Sequence, residues 1–135
     1  DVISTDMHQL SVHGPMFDLP TCMSKFLAMN VPLETVVQAV TSRPAQILGL
    51  PDVGTLAVGA YADVALLRLH RGAFHFYDIA MASRTGNQLL RCEQTILNGR
   101  VMPRRPDPVP APWIELRSYQ REIQQRGHTP DQMAP

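Results

Sequence analysis

Residues 42–64 read SRPAQILGLPDVGTLAVGAYADV, and this stretch joins a predicted short helix to a predicted strand. Pro44 lies near the start of the helix and Gly49 directly after its end, which is where these two residue types are favoured. A turn-rich connection that contains two further glycines follows. Residues 64–69 are almost continuously apolar, as in a strand that is well covered by other structure. The stretch therefore predicts a change from helical to β structure near residue 50.

Helical spacing is also present upstream of this stretch. Apolar side chains recur at intervals of three and four residues in two segments, which predicts two amphipathic helices. Asp18 is placed to cap the first helix, and Glu34 lies in the first turn of the second. The apolar stripes are Leu19, Cys22, Met23, Phe26 and Leu27, and then Leu33, Val36, Val37 and Val40. Ahead of both helices, residues 2–5 predict a short strand, and residues 7–20 have no sustained period and predict a loop.

Downstream, the apolar run of residues 64–69 is followed by further signs of β structure. Residues 74–77 alternate and predict a second strand. Asn98 and Gly99 lie between two short apolar segments, which is a strong signal for a two-residue hairpin. We therefore expect a small β unit in this part of the chain.

The last part of the chain has a different composition. Prolines accumulate from residue 103 and predict an extended linker. Residues 113–126 then predict one amphipathic helix, with Leu116, Tyr119 and Ile123 on its apolar side.

The overall composition excludes several classes of function. The chain has 135 residues, with 12 acidic and 12 basic side chains, and its formal net charge is zero. This balance gives no electrostatic reason to expect nucleic acid or a membrane surface as a partner. No apolar run approaches the roughly 20 residues of a membrane span. Cys22 and Cys92 do not form a CxxC pair, which suits a reducing compartment and predicts a cytoplasmic protein.

Three segments resemble the amidohydrolase superfamily, in particular its deacetylase or dihydroorotase-like branch. Residues 3–8 (ISTDMH), followed by HGP and by DLPTCMSKFL up to residue 27, are similar to the end of barrel strand eight and the helix after it. Residues 42–64 resemble the return of the chain from the barrel to a β-sandwich. Residues 95–101 (TILNGRV) resemble the closing hairpin of that sandwich.

The resemblance implies an α/β fold that is part of a larger molecule. Residues 1–50 would be the last strand and helices of a TIM-like (β/α)8 barrel, residues 51–103 part of a C-terminal β-sandwich subdomain, and residues 104–135 a proline-rich linker and helix. A TIM barrel needs about 250 residues. The family's early His-x-His metal motif is absent from this sequence. We therefore expect a C-terminal part of a metal-dependent hydrolase that is inactive in isolation.

The same resemblance assigns chemistry to residues near the start of the chain. Asp6 would contact a divalent metal, expected to be zinc, and handle the proton of the attacking water. His8, His13 and Gly14 would line the pocket for a small-molecule substrate with an amide, cyclic amide or ester bond. The remaining metal ligands would lie outside this chain.

Simpler interpretations of these residues stay open. Asp6 fits an ordinary turn, and the histidines fit loop hydrogen bonds. Asp6, His8 and His13 also supply three ligand types for a self-contained metal site, although their spacing suits no regular helix face.

Two other classes of function also stay open for the whole chain. One is a non-catalytic binding or oligomerisation module, in which the tail contacts a partner or a second copy. The other is a truncated gene product without function.

Overall fold

The structure is a computed structural model that describes residues 1–9, 11–104 and 110–118. Within them, three helices precede a three-stranded antiparallel sheet of strand order β1-β2-β3. The elements are α1 (Leu19–Ala28), α2 (Leu33–Val40), α3 (Ser42–Leu48), β1 (Val64–Tyr77), β2 (Ser83–Leu97) and β3 (Arg100–Val101). No helix in these ranges is both long and apolar enough to cross a membrane.

The three helices predicted between residues 19 and 48 are confirmed. The side chain of Asp18 accepts a hydrogen bond from the Thr21 amide at 2.8 Å, so it is the N-cap of α1 as predicted. The chain leaves α3 through Gly49, which has a φ of 67°. α3 begins at Ser42, so Pro44 lies near its start as predicted.

The predicted β unit is confirmed, but its strands are longer than expected. The segments predicted around residues 64–69 and 74–77 belong to one strand, β1, which has register shifts at Leu66/Leu67 and Arg71/Phe74. β2 pairs with β1 along its length and with β3 through the predicted hairpin. Asn98 and Gly99 have φ values of 49° and 74°, the positive values that such a two-residue turn requires.

Two predictions are wrong: the strand at residues 2–5 and the start of the last helix at residue 113. Residues 2–5 form no strand, and the described residues place no strand beside them; the Ile3 amide instead donates to the Ala39 carbonyl at 3.0 Å. Residues 113–117 are not helical. Residues 111–114 instead form a turn in which the Ile114 amide donates to the Ala111 carbonyl at 2.9 Å, and the side chains of Ile114 and Leu116 are buried. Ser118 is helical, and residues 119–126 of that predicted helix lie outside the described residues.

α1 packs against β2 through apolar contacts and one buried hydroxyl. Met23, Leu27, Val36 and Leu90 form a buried cluster between the helices and the sheet. At the centre of this contact, the fully buried Ser24 donates to the Pro20 carbonyl at 2.6 Å and accepts from the Leu90 amide at 2.8 Å.

Replacing Ser24 with Ala is expected to lower the free energy of unfolding by about 1–3 kcal/mol, because the Leu90 amide would lose its acceptor in a buried place. Urea unfolding followed by circular dichroism measures the change. The matched control is Ser42→Ala at the exposed start of α3, which has no side-chain capping bond and should change stability by less than about 0.5 kcal/mol. Equal losses in the two variants would contradict this role of Ser24.

Candidate active site

Asp6 lies in an exposed turn ahead of α1. Its φ of 45° places its backbone in the left-handed region, which Asp tolerates better than most residues. The Asp6 amide donates to Ser4 Oγ at 3.4 Å, and the Met7 amide donates to Thr5 Oγ1 at 3.2 Å. Two neighbouring hydroxyl side chains therefore support the turn, and Asp6 is exposed at its corner.

His8 begins a turn that is held by Ser11. The His8 amide donates to Ser11 Oγ at 3.0 Å, and Ser11 Oγ donates to the His8 carbonyl at 3.2 Å. The Ser11 amide bonds to that same carbonyl at 2.9 Å. Ser11 is buried whereas His8 is exposed, so the backbone of His8 is fixed from the protein side.

The carbonyl of Ser11 also organises the next turn of the chain. It accepts hydrogen bonds from the amides of Gly14, Met16 and Phe17 at 3.1, 3.3 and 3.3 Å. His13 lies on this turn and is exposed, and Gly14 is buried beside it. Sequence reasoning missed Ser11, because a lone serine in an aperiodic loop gives no signal that it holds two histidine-bearing turns.

The predicted site residues do not assemble into a metal centre by themselves. Among the described residues, no group of three or more His, Cys, Asp or Glu side chains is arranged to hold a metal ion. Asp6, His8 and His13 lie near one another in sequence without forming such a set. These residues alone do not fit a bound metal, so further ligands are needed if Asp6 is to contact one.

Cys22 and Lys25 on α1 serve packing. Cys22 is only 2% exposed, which confirms its predicted place in the core, and burial raises the pKa of its thiol. Its Sγ lies 3.9 Å from the Met16 carbonyl. Burial lowers the pKa of Lys25, whose Nζ lies 3.5 Å from Met16 Sδ. The hydroxyl of the neighbouring Ser24 bonds to two backbone groups. Ser24 and Lys25 are therefore not a nucleophile and its base.

In the native protein, Cys92 is expected to react with Ellman's reagent at least about tenfold faster than Cys22, because Cys22 is buried and its thiolate is disfavoured. The two rates are assigned with the single variants Cys22→Ser and Cys92→Ser. In concentrated guanidinium chloride the difference should disappear. Equal rates in the native protein would show that Cys22 is accessible.

A comparison with protein families found a match over the residues that form the helices and the sheet. A family model described as "Amidohydrolase family" matches residues 15–103, which is more than half of the chain. The chain therefore belongs to the amidohydrolase family. The matched range includes all three helices and all three strands, and it begins directly after the segment that carries Asp6, His8, His13 and Gly14.

Individual relatives have names that specify an activity, but each of them aligns with only part of this chain. A deacetylase from Brucella anthropi is 45% identical over 67 residues, which are 50% of this chain and 17% of the relative. A crystal structure of an adenine deaminase aligns with a TM-score of 0.71 at 27% identity, covering 75% of this chain and 28% of that one. A dihydroorotase structure aligns with a TM-score of 0.68 at 32% identity, covering 75% and 27%. The chain thus spans about a sixth of the deacetylase and little more than a quarter of the two solved chains.

Proposed function

We propose that this chain is the C-terminal part of a metal-dependent hydrolase that cleaves an amide, cyclic amide or ester bond of a small molecule. The observation that carries the proposal is the amidohydrolase family match over residues 15–103. The names of the relatives favour carbon–nitrogen bonds, since deacetylases, deaminases and dihydroorotases all act on such bonds. The cytoplasmic location and a homo-oligomeric state stay predictions.

In this proposal, residues 1–50 complete a barrel, residues 51–103 belong to a β-subdomain, and residues 104–135 form a tail. Exposed apolar side chains support the view that more protein covers this unit. They lie on α3 and on the connection after it. So many large apolar side chains close together are seldom exposed to water on a protein surface that has no partner. These residues are Ile47, Leu48, Leu56 and Val58, with exposed fractions of 69%, 69%, 81% and 107%.

Asp6 is the proposed catalytic residue. Its exposed carboxylate would accept a proton from the attacking water and deliver it to the leaving nitrogen or oxygen of the substrate. A divalent metal, expected to be zinc, would be contacted by Asp6 and by ligands that the described residues do not supply. Its chemical contribution would be Lewis-acid polarisation of the bond to be cleaved.

His8 and His13 are the proposed substrate-binding residues. Both are exposed on turns whose backbone is held by the buried Ser11, so their side chains face outward from a fixed support. An imidazole in such a place can donate to or accept from a polar group of the substrate. Gly14, next to His13, would allow close approach of the backbone.

The decisive experiment joins this chain to the barrel part of the Brucella anthropi deacetylase. The chain is tested alone and behind that barrel against N-acetylated amino acids, cyclic amides and carboxylic esters. Turnover is expected in the joined protein and not in the chain alone, because the described residues form no complete metal site. Turnover by the isolated chain, or a folded and metal-loaded joined protein that cleaves none of these compounds, would contradict the proposal.

In the joined protein, Asp6→Asn is expected to lower kcat by about 100-fold or more, the usual effect of removing a group that transfers a proton in the transition state. Circular dichroism verifies that the fold is intact. The control is Asp52→Asn, which removes an equally exposed carboxylate on the connection after α3 and should leave kcat unchanged. Similar rates for wild type and Asp6→Asn would remove Asp6 from the mechanism.

A further inference from the structure

Residues 111–116 lie against the loop that carries His13. We call residues 11–17 the histidine loop and residues 111–116 the strap. The two segments are far apart in the sequence, yet the Ala111 amide donates a hydrogen bond to the His13 carbonyl at 2.8 Å. This bond fixes the backbone of His13 directly, while the His13 residue is exposed.

The side chain of Ile114, in the strap, lies close to Gly14 of the histidine loop. A Cβ atom placed on Gly14 would lie 2.8 Å from Ile114 Cγ1 and 3.0 Å from Ile114 Cδ1. Gly14 also has a φ of 124°, which side chains rarely adopt. The absence of a side chain at residue 14 thus allows both the turn and the contact with the strap.

The strap in turn is anchored to the sheet. Ala111, Ile114 and Leu116 form a buried apolar cluster with Phe17, the last residue of the histidine loop. Tyr77, the last residue of β1, packs against this cluster, and its hydroxyl donates to the Glu115 carbonyl at 2.9 Å. The strap therefore connects the histidine loop to the end of β1.

We propose that the strap holds the histidine loop in the conformation that binds substrate, with Ile114 as its main positioning residue. This inference rests on the proposed function, because that function supplies the substrate that the histidine loop would bind. The strap contacts the buried side of the loop, at the His13 carbonyl, Gly14 and Phe17, and it leaves His13 exposed. A loop that is already ordered loses less conformational entropy when the substrate arrives, so the strap increases affinity without taking part in the chemistry.

The first test measures hydrogen exchange in the 135-residue chain. Ile114→Ala is expected to speed exchange at the Gly14, Met16 and Phe17 amides at least about tenfold, since these amides are protected by the fold of the loop. The Leu90 amide, bonded to Ser24 in the core, should keep its protection and so report an intact fold. Ile114→Val should restore most of the loop protection. Trp113→Ala is the matched control, because Trp113 lies in the strap but is 66% exposed.

The second test measures kinetics of the same variants in the joined protein. Ile114→Ala should raise KM about tenfold while kcat stays within about twofold, as expected when binding but not chemistry is affected. Unchanged loop exchange in Ile114→Ala would overturn the strap itself, and faster exchange with an unchanged KM would overturn its role in binding. If the wild-type joined protein has no activity, the proposed function has failed, and the exchange measurement alone decides whether the strap holds the loop.

Discussion

The hydroxyl of Ser24 joins the helical part of this chain to its sheet, and the other contacts are arranged around it. The apolar packing of Met23, Leu27 and Leu90 between α1 and β2 is not directional, whereas a hydrogen bond requires a particular distance and angle. The hydrogen bond from the Leu90 amide to Ser24 fixes one position of α1 along β2. Because β1 and β3 both pair with β2, the bond between Ser24 and Leu90 also helps to position these two strands relative to α1.

The position of the candidate site also depends on the position of α1. Asp18 caps the first turn of α1, and Phe17 immediately before it enters the cluster formed with the strap. The histidine loop is therefore held at one end by a helix whose position Ser24 determines. At its other end Ser11 bonds to both flanking turns. His13 can thus have a defined position although it is exposed, because the buried side of the loop carries the hydrogen bonds and apolar contacts.

The sequence predicted elements whose cause is local. The helices follow from apolar spacing and from Asp18 and Gly49 at their ends, and the hairpin follows from Asn98 and Gly99. Most of β2 was not predicted, because its first half is polar and contains Gly86, which on its own suggests a turn. In the structure Gly86 is buried, and a Cβ there would lie 2.8 Å from the Ala28 Cβ and 2.9 Å from Phe76 Cε2. Gly86 thus permits close packing of the strand, a requirement set by residues distant in the sequence.

The two wrong predictions and the missed site residues have one cause. Residues 2–5 have the composition of a strand but no neighbouring strand among the described residues. Residues 113–117 have helical spacing but are not helical, because Ile114 and Leu116 both pack in the cluster around Phe17. Asp6, His8 and His13 could be named from the sequence, because a reactive side chain is identified by its type and by the resemblance around it. Ser11 and Ile114 could not, because positioning depends on contacts with chain that is distant or gives no local signal. In this protein the residues proposed for chemistry can therefore be named from the sequence, and the residues that position them become visible only in the folded chain.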